Sequence, residues 1–189
     1  MRATLLAPVA ALGLAGFAVS TEAHALGPID VEVAAKAGYA GNPGSGDPNP
    51  LGVGLGGRAG VSFLGVYGGV NILYYFGGTS NLGSGSSISA HSVLYGIEAG
   101  YGITLVNILT LRALLGVGNA TISSSVTSLP DASLNNLYLE PGITGLLGFG
   151  MYFVGADANL LILPSIGQNN GGSSTETCFT LHGQIGVKF

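Results

Sequence analysis

Ser89 and His91 stand two residues apart, a spacing that puts a hydroxyl and an imidazole on the same face of a β-strand, where the ring could serve as base to a serine nucleophile. A third group must orient such an imidazole, and no carboxylate falls on that face. The pair therefore reads as polar side chains near a strand end, and no catalytic residue is assigned. His182 would need companion ligands to hold a metal, and no local spacing supplies them. Cys178 is the only cysteine, so it cannot close an intramolecular disulfide and reads as a small space-filler or free thiol. Gly54-Leu55-Gly56-Gly57-Arg58-Ala59-Gly60 has the glycines of a dinucleotide loop, but no helical periodicity follows it. No cofactor is implied.

The charged residues are more informative, once the elements that carry them are drawn. Runs of alternating hydrophobicity, cut at Gly, Pro, Asn and Ser clusters, give eight strands over 30–41, 52–64, 66–77, 88–105, 109–122, 134–148, 151–164 and 176–189. The connections alternate between long polar segments (41–50, 78–87, 123–133, 165–175) and tight turns at Leu64-Gly65, Val106-Asn107-Ile108 and Phe149-Gly150. An even number of strands with long loops at one end and short turns at the other suits a closed antiparallel barrel that crosses a membrane.

Apolar parity assigns the faces without using the charges. Val33, Ala35, Ala37 and Tyr39 outside send Glu32 and Lys36 inside; Ala59, Val61 and Phe63 send Arg58 inside; Tyr95, Ile97, Ala99 and Tyr101 send Glu98 inside. The same rule turns Arg112, Glu140, Asp157 and Lys188 inward. A charge on the lipid face near the midplane costs about 2–4 kcal/mol, whereas in a lumen it can be paired. Lys36, Arg58, Glu98, Arg112, Glu140 and Asp157 are expected near mid-height in one cross-barrel ion-pair network, with Glu140 paired to an arginine. Such a network fits either an ion path or a filled lumen. Eight strands leave room for little besides side chains, which favours filling.

The ends agree. Met1-Arg2, an apolar stretch to about Val19 and the small-x-small Ala23-His24-Ala25 read as a cleaved signal peptide, residues 1–25, ahead of one domain at 26–189. Hydrophobic residues make up 47% of the chain and charged ones 7%, a mix that fits neither a disordered chain nor a nucleic-acid binder. The longest later apolar run, 105–117, is too short for a membrane helix and contains Arg112. The many glycines are expected to allow tight curvature, and Phe63, Tyr101, Tyr152 and Phe189 at the turn end, with Tyr39 and Tyr74 at the loop end, to form interfacial girdles.

With the final Gly183-Gln184-Ile185-Gly186-Val187-Lys188-Phe189, these features make the chain resemble the small eight-stranded outer-membrane β-barrels, the OmpA/OmpX-like membrane domains. The resemblance implies an all-β, up-and-down, transmembrane barrel in a Gram-negative-type outer membrane. It also implies that Ile185, Val187 and the terminal Phe189 act as the signal read by the barrel-assembly machinery. Expected partners are outer-membrane lipids, that machinery and an extracellular ligand at the loops, with a monomeric chain and no enzymatic activity. A narrow porin-like channel is the second reading and a lipid-modifying enzyme the third.

Overall fold

The computed structural model describes residues 29–44, 48–83, 86–106, 108–126, 132–164 and 175–189. The expected signal peptide lies outside them. Nine strands follow in order: β1 (Ile29–Ala40), β2 (Gly52–Phe63), β3 (Val66–Tyr75), β4 (Thr79–Gly83), β5 (Ser86–Val106), β6 (Leu109–Val126), β7 (Ala132–Phe149), β8 (Tyr152–Pro164) and β9 (Thr175–Lys188). All pairings are antiparallel between sequence neighbours, β1 pairs with β9, and β3 pairs with β5. The strands pair in a closed ring. The wall is thus an eight-stranded up-and-down barrel, in which β3 and β4 form one position of the ring, interrupted at Phe76-Gly77-Gly78.

That interruption corrects one expectation. The segment 78–87 does not form a long open loop; Thr79, Ser80 and Asn81 pair with Ser89, Ile88 and Ser87. Gly77 makes the break possible, with φ 63° and a position where a Cβ would run into the Ala90 carbonyl. The 123–133 loop is also shorter than expected, because β6 continues to Val126 and Ser123 pairs with Ser133. Serine and asparagine clusters read as loop in sequence, yet a ladder already set by its apolar half can carry them beyond the outward apolar band. The loop at 165–174 lies outside the described residues.

Side chains alternate along the barrel strands, most regularly in β1 and β9. In β1 Glu32, Ala34, Lys36 and Ala40 are buried while Val33, Ala35, Ala37 and Tyr39 are exposed, and β9 repeats the pattern with Cys178, Thr180, His182 and Gln184 inside. Outside lies a band of aliphatic and aromatic residues, including all six proposed girdle residues, each at least 41% exposed. Among the described residues no helix is long and apolar enough to cross a membrane.

At the turn end Leu64 and Gly65 have φ of 50° and 87°, both central positions left-handed as in a type I′ hairpin. The β7–β8 turn is set one residue later than expected, at Gly150-Met151 between Phe149 and Tyr152, with Gly150 at φ 66°. Leu64 adopts the conformation that asparagine and glycine tolerate best, and it is 70% exposed. Leu64→Asn should raise the unfolding free energy by about 1 kcal/mol. The check is a urea titration in micelles, with the midpoint rising and the slope unchanged.

Candidate functional site

The lumen holds the chain's chemistry in layers. Glu32 on β1 is its hub: its two oxygens accept from Arg112 Nη1 and Nη2 at 3.0 and 2.7 Å, from Arg58 Nη2 at 3.3 Å and from the Ser62 hydroxyl at 3.1 Å. A two-pronged guanidinium contact of this kind fixes geometry as well as charge. Tyr67 stands beside both cations, with Arg112 Cζ 4.1 Å and Arg58 Cζ 5.1 Å from its ring centre. Arg58 also faces Glu98 at 3.8 Å, too long for a hydrogen bond, and neither Glu98 oxygen has a hydrogen-bond partner among the described residues.

A second cluster is separate from the first. Lys36 Nζ meets Asp157 at 2.7 Å, both side chains all but fully buried, and Asp157 accepts further bonds of 2.7 Å from Thr144 and from Gln184. Glu140 departs from expectation: Asn159 and Thr180 donate to it at 3.1 and 2.9 Å, and it makes no ion pair among the described residues. The arginines are both held lower, by Glu32. Their long stems let them converge on an acid nearer the turns, a choice that parity alone cannot make. Lys188 lies at the turn-end rim, half exposed, paired to Asp30 at 3.3 Å.

The six mid-lumen residues are thus all buried, five are ion-paired in two groups, and Glu140 is bonded by neutral side chains. Sequence reasoning places Glu32 and Gln184 inside but not in these contacts, and misses Tyr67, Ser62, Thr144 and Asn159. Their signal is present: all have the inward parity of their strands. The inward glycines also have a use beyond curvature. A Cβ at Gly60 or Gly69 would collide with Tyr67, and one at Gly118 with Tyr138. The glycines are where large rings lie flat against the wall.

Above the charges, towards the loops, the interior turns apolar, with Leu73, Tyr75, Leu94, Tyr138, Leu161 and Leu163 packed around Leu51, which the first loop tucks into the barrel. The Ser92 hydroxyl donates to the Pro50 carbonyl at 2.7 Å and fastens that loop. Between the layers Tyr75 and His182 Nε2 share a hydrogen bond of 2.8 Å. Below the charges a cavity of about 390 Å³, walled by Glu32, Ser62, Thr110, Arg112 and Phe153, lies at the turn end.

The remaining candidates are not assembled for chemistry. Ser89 shares a hydrogen bond with Thr79 at 3.0 Å, while His91 stacks on Tyr74 with ring centres 5.9 Å apart. Cys178 is buried in the apolar layer as a free thiol. Among the described residues no group of three or more His, Cys, Asp or Glu is placed to hold a metal ion.

The fold has known counterparts. A major outer membrane protein from Thermus thermophilus superposes with a TM-score of 0.64 at 14% identity, over 85% of this chain and 99% of that one. The fold is that of the small outer-membrane β-barrels. The N-terminal barrel domain of OprF from Pseudomonas aeruginosa matches at TM-score 0.56 and 17% identity, covering 85% and 97% of the two chains. Neisserial surface protein A matches at TM-score 0.56 and 16% identity, covering 86% and 97%. No protein-family model matches the sequence, and neither does any curated protein.

Removing Glu32 strands two buried guanidinium groups at once, whereas Asp30, two residues away, pairs with Lys188 in half-exposed surroundings. Glu32→Ala should cost about 3–5 kcal/mol and Asp30→Ala no more than about 1 kcal/mol. Urea unfolding followed by the gel mobility of unboiled protein measures both.

Proposed function

We propose that the protein is an integral outer-membrane β-barrel with a structural or surface-interaction role, exported by a cleaved signal peptide at 1–25, whose lumen is filled by its own side chains. The observation that carries this reading is the stacking of an ion-paired layer under an apolar layer that includes the fully buried Leu51 of the first loop. An ion entering from the turn end meets buried Arg112 and Glu32, then the Lys36–Asp157 pair, and then a layer dominated by leucine and tyrosine side chains in which Asn71, Ser92 and His182 are already hydrogen-bonded. Moving a charge through such a layer carries the full cost of desolvation. A conducting pore would need the reverse arrangement. Contact with other molecules then falls to the strand extensions of β5, β6 and β7 and to the loops above them, with outer-membrane lipids around the apolar band and one copy of the chain as the working unit.

In planar bilayers the purified barrel should give no steady ion conductance, and Leu51→Gly, which removes a fully buried side chain of the apolar layer, should give more current than the parent. Steady single-channel steps from the parent protein would replace this reading with the porin-like one.

Assembly is assigned to the last strand. Ile185, Val187 and Phe189 face outward and Phe189 closes the ring, its N–H donating to the Val31 carbonyl at 3.0 Å and its carbonyl accepting from Val31 at 2.7 Å. Phe189→Ala keeps those backbone bonds and removes a 43%-exposed ring, worth at most about 1.5–3 kcal/mol. The variant should refold in detergent like the parent yet accumulate in the periplasm of cells. Parental insertion in cells would make Phe189 an ordinary rim residue.

A further inference from the structure

The ladder between β7 and β8 is broken in mid-strand. Leu139 pairs with Ile162 and Gly142 with Asn159, but Glu140 and Pro141 between them have no partner in β8. Proline has no N–H to give, and in sheets it is confined to edges and bulges for that reason. Above Leu139 no further β7–β8 pair is formed among the described residues, which leaves Leu137 and Tyr138 unpaired with Pro164 and Leu163, although β7 runs on to Ala132 beside β6 and β8 runs on to Pro164 beside β9. A second proline therefore stands at the upper end of the same seam.

What holds the seam at the break is a side chain. Glu140 reaches from β7 to Asn159 on β8 and Thr180 on β9, just where the backbone bonds are missing, and Thr144 on β7 donates to Asp157 on β8 one step lower. This explains why Glu140 is buried without a cation. Behind the upper part of the seam lies the apolar layer, with Tyr138 on β7 and Leu161 and Leu163 on β8. We infer that the β7–β8 seam is a lateral latch in the barrel wall, fastened from the lumen by Glu140, whose opening connects the loop-side apolar interior with the bilayer. The inference rests on the proposed membrane setting and assigns a place and a fastening that the filled-lumen reading does not require. Its opening is a local event that leaves the other ladders intact.

Cys178, the chain's one thiol, is buried in that apolar layer and reports on access to it. The folded barrel in lipid vesicles is treated with N-phenylmaleimide, an uncharged reagent that dissolves in the bilayer, and in parallel with a sulfonated methanethiosulfonate confined to water. Glu140→Ala, which removes the fastening, should speed labelling by the uncharged reagent by about tenfold, the effect of losing a buried hydrogen-bonded contact. Pro141→Val, which restores a backbone donor, should slow it by a comparable factor. The charged reagent should respond to neither change. If Glu140→Ala does not fold, Pro141→Val and the parent still decide the matter. Equal labelling of these two by N-phenylmaleimide overturns the latch, as does equal acceleration of both reagents in Glu140→Ala, which would mean entry from the loop end. Failure of the membrane setting itself would show separately, as absence of the folded chain from the vesicle fraction.

Discussion

A charge kept off the apolar face of an eight-stranded barrel has only the lumen to occupy, and the lumen is narrow enough that its partners there are other side chains. Glu32 is that partner for two arginines, and Tyr67 covers both cations with its ring. The placement of the remaining inner residues depends on this arrangement. Arginine stems occupy the middle and turn-side lumen, so Tyr67 needs glycine at positions 60 and 69, and the leucines and tyrosines gather towards the loops. Exchanging charged and apolar residues between the two faces would fail twice, once in the lipid and once in the core.

The interior also divides the wall into regions of different strength. β5, β6 and β7 are paired along nearly their whole length, and they extend beyond the apolar band on ladders of serine, threonine and asparagine. The β7–β8 contact depends partly on side chains, because Pro141 interrupts its backbone ladder. Rigidity of the ring and weakness at one seam are therefore compatible. Each has a cause that can be named at single residues.

Much of this is legible in the sequence because period-two alternation is a strong signal when one face meets lipid. Strand positions come within a few residues, and the inward orientation of Lys36, Arg58, Glu98, Arg112, Glu140 and Asp157 follows from their apolar neighbours without any reference to charge. Pairing is not legible. Parity gives a side chain's face but neither its reach nor the stagger between strands, so it does not single out Glu32, nearer the turns, as the hub, and it leaves Glu140 with an arginine it does not touch. Composition misleads at 78–87 and 123–133 because residues that favour turns also line a ladder whose other half is already fixed. The role of Leu51 lies in tertiary packing, beyond any periodic pattern.

The central claim is that the buried Glu32–Arg112 contact is a coupled unit on which the filled lumen depends, and a double-mutant cycle tests it most directly. Glu32→Gln, Arg112→Gln and the double variant would be unfolded in urea from identical micelles. The double variant should be more stable than the sum of the single losses implies, by a coupling energy of about 1.5–3 kcal/mol. Additive losses, within about 0.5 kcal/mol of the sum, would contradict it.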